Sequence, residues 1–101
     1  MKIMSYDLHK TPEFEEWLSK QPLKSRLQVE ERLLHIAIDG HFGTCKHLTD
    51  HVWELKWANG RRVYYAHIVE YNILLLLGGN KNGQSKDITQ ADKILRKYAE
   101  A

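Results

Sequence analysis

Cysteine is almost missing from this chain. Cys45 stands alone, so no disulfide can close within the chain, and bridge-stapled secreted scaffolds are excluded. A lone thiol fits a reducing compartment, and with no base assignable to it Cys45 reads as a small, partly buried residue rather than a nucleophile. Proline is scarce, at two residues, and glycine numbers six, which excludes collagen-like and proline-rich disordered chains. No apolar run approaches the ~20 residues that span a bilayer. The opening residues MKIMSYDLHK lack the apolar stretch of a secretion signal, so a cytoplasmic location with no membrane partner is expected. Neither sign of charge dominates: the net charge of +2 permits contact with nucleic acid without requiring it.

What remains is ordinary globular composition, 43% hydrophobic and 28% charged over 101 residues, enough for a single domain spanning 1–101. KIMSYDLH alternates loosely and predicts a first strand. TPEFEEWLSK then opens a helix, with Thr11 as N-cap, Pro12 at the first helical position, and Glu13, Glu15 and Glu16 near the positive helix end. Phe14, Trp17 and Leu18 form its apolar stripe. After Gln21-Pro22 a longer amphipathic helix runs from Leu23 to Ile38. Leu23, Leu27, Leu34 and Ile38 lie near one face, Leu33 and Ala37 widen it, and DGHFG ends it. The two helices read as an antiparallel hairpin, and TCKHLTD as a loop.

Beyond that loop the period changes to two. VWELKW places Trp53, Leu55 and Trp57 on a buried side and Val52, Glu54 and Lys56 on a polar one. ANGR is a hairpin signal, RVYYAHIV the return strand, EYN a second turn, and ILLLL a short apolar strand central in the sheet. GGNKNGQSKD follows as a polar, lysine-bearing turn whose glycines serve backbone conformation. Ser85 is the expected N-cap of a last helix with Ile88, Ala91, Leu95 and Tyr98 as its stripe. The order β-α-α-β-β-β-α is a small α+β domain, a mostly antiparallel sheet packed on a helical hairpin and a C-terminal helix.

Three places carry chemistry. GGNKNGQSKD lacks the spacing of a nucleotide P-loop, but a glycine-rich turn before a helix, with Lys81 and Lys86, can face an anion. Among the six histidines, His41, His47 and His51 match no standard zinc spacing, so neither metal nor other cofactor is expected. His51 and His67 are the histidines placed for acid–base work, although each reads more simply as a surface or half-buried side chain. The polar face of the hairpin is the third place. Glu54 and Lys56 share it, and an arginine returns beside them, a set able to move a proton and stabilise charge on a phosphate. A two-residue Asn59-Gly60 loop brings Arg61 and His67 to that face; a three-residue Asn59-Gly60-Arg61 loop with a bulge brings Arg62 and Tyr64. Local turn preference favours the first.

These residues together resemble the RelE/ParE superfamily of toxin–antitoxin toxins, and within it the HigB-like addiction-module killer proteins. The resemblance rests on Glu54-Leu55-Lys56, on Arg62 opening the next strand, on the apolar strand Leu74–Leu77, and on Gly78-Gly79-x-Lys81-x-x-Gln84-x-x-Asp87-Ile88-x-x-Ala91. It covers essentially the whole chain and implies the RelE-like fold. It also implies a cytoplasmic toxin neutralised by a small antitoxin, often with a helix-turn-helix domain. The implied activity is a metal-independent endoribonuclease that cleaves messenger RNA at the ribosome by attack of a ribose 2′-hydroxyl on the adjacent phosphate.

By position, Lys56, Arg62 and Lys81 match the family's phosphate-facing cations, and Asp87 a place where related toxins keep an acid or tyrosine used in cleavage. Glu54 stands where better-known members carry lysine, and can act as base or as ion-pair partner. No His or Tyr is adjacent to Asp87 in sequence. Arg61, Tyr64, Gln84 and Lys86 complete the expected substrate-binding set. The match favours Arg62 over Arg61, against the local turn argument. On this reading Arg62→Ala removes toxicity and leaves the fold intact. A gyrase-inhibiting, ParE-like toxin and a non-catalytic antitoxin-binding protein are the alternatives on the same fold.

Overall fold

Residues 5–69 and 72–99 are described by the computed structural model. The first part of the expected opening strand and most of the expected EYN turn (Glu70 and Tyr71) lie outside them. The strand that is described, β1 (Asp7–Lys10), ends one residue beyond the expectation. Helix α1 (Pro12–Ser19) starts as its sequence dictates: Thr11 Oγ1 accepts from the Phe14 N–H at 3.1 Å, and Pro12 occupies the first turn. The Thr11 hydroxyl also donates to the Leu76 carbonyl at 3.1 Å, which ties the helix start to the sheet.

Helix α2 (Leu23–Asp39) departs from expectation in the face it buries. Val29, Leu33 and Ile36 are buried, whereas Leu23, Leu27, Leu34 and Ile38 are exposed. The helix has two apolar stripes, and the sheet takes the one continuous with Phe14 and Leu18 of α1. The segment read as a loop contains a short edge strand, β2 (Cys45–His47), and Cys45 on it is exposed rather than partly buried. Period-two reasoning missed it because all three of its residues are exposed and the strand carries no apolar alternation.

Strands β3 (Trp53–Lys56), β4 (Arg61–His67) and β5 (Asn72–Asn80) follow. Among the described residues the sheet order is β1-β5-β4-β3-β2, with β1 parallel to β5 and the other pairs antiparallel. The apolar run therefore sits inside the sheet, as expected, but its strand continues through Gly78 and Gly79. A 3-10 turn (Lys81–Gly83) then leads into α3 (Gln84–Ala99). Ser85 lies inside α3 and does not cap it; Asn80 caps the 3-10 turn instead, accepting from the Asn82 N–H at 2.9 Å.

Two cores flank this sheet. On one face Phe14, Leu18, Val29, Leu33 and Ile36 pack on Leu55, Val63, Tyr65, Ile73 and Leu75. On the other, Ala91 and Ile94 of α3 pack on Val52, Tyr64, Ala66, Leu74 and Leu76, with Ile88, Leu95 and Tyr98 around them. This α/β/α layering corrects the hairpin's expected polar side: α3 covers it, and Glu54 on that side is fully buried. No described helix is long and apolar enough to cross a membrane.

Candidate active site

The register of the β3–β4 hairpin decides which arginine meets Glu54 and Lys56. Trp57 N–H donates to the Arg61 carbonyl and Gly60 N–H to the Trp57 carbonyl, both at 3.1 Å. The loop is therefore Ala58-Asn59-Gly60, a turn closed by Gly60 at φ +97°, where an L side chain is strained. Neither loop read from sequence is the observed one, but the face matches the three-residue alternative: Glu54 pairs with Tyr64 and Lys56 with Arg62. Arg61 goes to the other face, where it bonds Gln28 and Ser25 of α2 and stands over the Trp57 ring. His67 is also on that face, among Tyr6, Phe42, Trp53 and Tyr65, and its burial lowers its pKa.

The α3 side of the sheet gathers most of the remaining residues. Arg62 lies across the ladder from Lys56 on one side and Gly79 on the other. Its Nε is 3.6 Å from Glu54 Oε2, close enough for an ion pair and too long for a hydrogen bond. Gln84 Nε2 donates to the same carboxylate oxygen at 2.5 Å, so the start of α3 is fastened to β3. Glu54 Oε1, Arg62 Nε and the Tyr64 hydroxyl are buried without a hydrogen-bond partner. Three orphaned polar atoms in one cluster are costly, and they mark a place built to receive polar groups or to hold a strained charge pair.

Asp87 closes the cluster from α3. Its Oδ2 would lie 2.1 Å from a Cβ on Gly79 and 3.3 Å from one on Gly83. Burial raises its pKa, against the opposing charge of the neighbouring Lys86. The Tyr64 phenol is raised further, by burial first and then by Glu54 and Asp87, so it stays protonated as a hydrogen-bond donor. Lys81 enters from the 3-10 turn: its N–H donates to the Gly60 carbonyl at 2.8 Å and its stem lies along Gly60 at the hairpin tip. Lys86 is exposed beside Asp87. The structure thus collects Glu54, Lys56, Arg62, Tyr64, Gln84 and Asp87 on one face with Lys81 at its rim, and leaves Arg61 out.

The glycines have a different purpose from the one expected. Gly78 and Gly79 lie in β5, and neither is among the glycines at positive φ. They supply space: Trp17 covers Gly78, and the Asp87 carboxylate approaches Gly79. Sequence reasoning missed Gly79 as a site residue. Its signal was the Gly-Gly pair at the end of an apolar strand, where a close approach is as good a reason for glycine as a turn. Among the described residues no group of three or more His, Cys, Asp or Glu could hold a metal ion.

No protein-family model matches the chain. An uncharacterized protein of Haemophilus influenzae is 34% identical over 91 residues, spanning 87% of this chain and 91% of that protein. A mutant of the E. coli toxin RelE in the free state superposes with a TM-score of 0.71 at 19% identity, covering 89% of this chain and 97% of that one. The RelBE2 toxin–antitoxin complex from Mycobacterium tuberculosis gives 0.65 at 17% identity, over 78% and 94%. The isolated E. coli RelE toxin gives 0.63 at 16%, over 84% and 97%. The chain has the RelE-like fold, and it belongs to the same family as the Haemophilus influenzae protein.

Proposed function

We propose that this protein is the toxin of a toxin–antitoxin module, a HigB-like endoribonuclease that cleaves translated messenger RNA at the ribosome in the cytoplasm without a metal. Its partners are a cognate antitoxin, with a helix-turn-helix domain of its own, and the ribosome with its message. The observation that carries the reading is the single face on which Lys56, Arg62, Tyr64, Gln84 and Asp87 converge, with Lys81 at its rim. The RelE-like fold and the toxin–antitoxin neighbour support it.

In the proposed reaction a base removes the proton of a ribose 2′-hydroxyl, and that oxygen attacks the adjacent phosphorus. The bond to the 5′-oxygen of the next nucleotide breaks, and an acid protonates the leaving oxygen. Lys56, Arg62 and Lys81 offset the charge of the phosphorane. Asp87 is the proton-transfer group, because burial makes its carboxylate more basic than usual. Glu54 is enclosed and already bound to Gln84 and Arg62, so its role is to hold Arg62 in place.

The test is induced expression with primer extension on cellular messages. New ends inside translated regions are expected, lost in the Lys56→Ala, Lys81→Ala double variant and unaffected by a chelator. Intact messages with failing DNA supercoiling would transfer the protein to the gyrase-inhibiting class. The complete burial of Glu54 and Tyr64 favours a second reading, a non-catalytic antitoxin-binding member. Normal growth with intact messages and tight antitoxin binding would select it.

A further inference from the structure

Helix α2 places one cation against the base of the β3–β4 hairpin tip. Among the described residues the half-buried Arg32 guanidinium donates only to main-chain carbonyls. Its Nε reaches Phe42 at 3.0 Å, Nη1 reaches Lys56 at 2.5 Å and Nη2 reaches Thr44 at 2.5 Å. The Thr44 carbonyl also accepts from the Lys56 N–H at 3.0 Å. Both main-chain polar groups of Lys56 are therefore held, one by Thr44 and one by Arg32. The arginine fork joins the two strands one residue beyond their last ladder pair, Cys45 with Leu55. A guanidinium suits this task because its donors lie in one plane at fixed spacing, which a lysine ammonium cannot reproduce. Gly43 leaves the room: a Cβ there would stand 3.1 Å from Nη2.

The clamp continues into the turn. Arg32 Cζ lies 4.3 Å from the centre of the Trp57 ring, and Arg61 Cζ lies 5.6 Å from it. Arg61 is itself bonded to Gln28 and Ser25, so two arginines tie the Ala58-Asn59-Gly60 turn to α2. The same turn carries Lys81, whose N–H meets the Gly60 carbonyl at 2.8 Å. The backbone of Lys56 and the seat of Lys81 are thus set from the α2 side, while Lys56 itself stands across from Arg62 on the α3 face.

We infer that Arg32 is a positioning residue for Lys56 and Lys81: it holds the backbone from which Lys56 rises and the turn on which Lys81 rests. The task of the two lysines comes from the ribonuclease reading, on which this inference rests; the clamp comes from the geometry alone. A lysine that must meet a phosphorane depends on where its backbone stands, because a displacement of about 1 Å can slow a reaction about a hundredfold.

The test compares the whole parent chain with Arg32→Lys, which keeps the charge and loses the fork. Val29→Ala is the control, because Val29 is buried in the core on the same helix and its loss lowers stability without touching the clamp. Cleavage of message on purified ribosomes should slow about tenfold in Arg32→Lys and stay at the parent rate in Val29→Ala, with circular dichroism showing both folded. Amide hydrogen exchange should quicken at Lys56 and Lys81 in Arg32→Lys and stay unchanged at the centre of β5. An unchanged rate in Arg32→Lys, or equal slowing in Val29→Ala, overturns the inference. If the parent cleaves no message, the ribonuclease reading falls and exchange decides the clamp. Faster exchange at Lys56 and Lys81 then supports it, and unchanged protection there overturns it.

Discussion

Glu54 and Arg62 meet at 3.6 Å with almost no solvent on either side chain. Such a pair adds little net stability, because both charges are desolvated, but breaking it strands a buried charge. Arg62→Ala is therefore not the fold-neutral variant that the sequence suggests. It should lower unfolding free energy by about 3–5 kcal/mol. Adding Glu54→Gln should recover part of that loss, which a double-mutant cycle in urea would measure; strict additivity would show that the two groups do not interact. Asp87 sets a pH dependence. Its pKa is raised by burial, so it favours folding below the ordinary carboxylate range and loses that contribution as pH rises through the raised value. Asp87→Asn should thus melt higher than the parent near pH 7, with the gap closing towards about pH 4. A gap that widened on acidification would reverse the sign.

At the scale of elements, β5 shows how one strand serves two faces. A Cβ on Gly78 would stand 2.2 Å from the Trp17 ring, and one on Gly79 2.1 Å from the Asp87 carboxylate. The indole is bulky, half-buried and packed against the Phe14 ring, whereas a carboxylate at the end of a short side chain can swing aside. Gly78→Ala should cost about 3 kcal/mol and Gly79→Ala about 1 kcal/mol. Equal losses in chemical denaturation would mean that Trp17 yields as easily as Asp87. The hairpin gives the complementary lesson. Asn59-Gly60 is a two-residue turn signal read locally, yet the chain adopts Ala58-Asn59-Gly60. That register lets Arg62 and Tyr64 face α3 and sends Arg61 to α2, and pairing across three strands outweighs the preference of one dipeptide.

On the scale of the whole molecule, the sheet is covered on both faces, and Gln84 at the start of α3 ties that helix to Glu54 while Lys56, Gln84 and Asp87 stay partly exposed. Ending the chain before Gln84 would uncover Val52, Tyr64 and Leu76, each fully buried. The shortened protein should bind a hydrophobic dye and lose its cooperative melt; a sharp transition near the parent's would show that α1, α2 and the sheet suffice.

The sequence by itself determined the elements that depend on neighbours along the chain. The Thr11-Pro12 start of α1, the Phe14–Trp17–Leu18 stripe, the two-residue period of β3 and the apolar run of β5 are all local patterns, and local sterics and periodicity decide them. It also brought forward the residues proposed for the site, because Lys56, Arg62, Lys81, Gln84 and Asp87 stand at spacings that the RelE resemblance makes legible. Only the tertiary structure decided what depends on partners distant in sequence. It chose which stripe of α2 is buried, which arginine meets Glu54, and whether the hairpin's polar face is wet or covered. It also turned Gly78 and Gly79 from turn residues into room for Trp17 and Asp87. Each of these follows from packing between segments that no periodicity connects, and packing is settled only when the layers close.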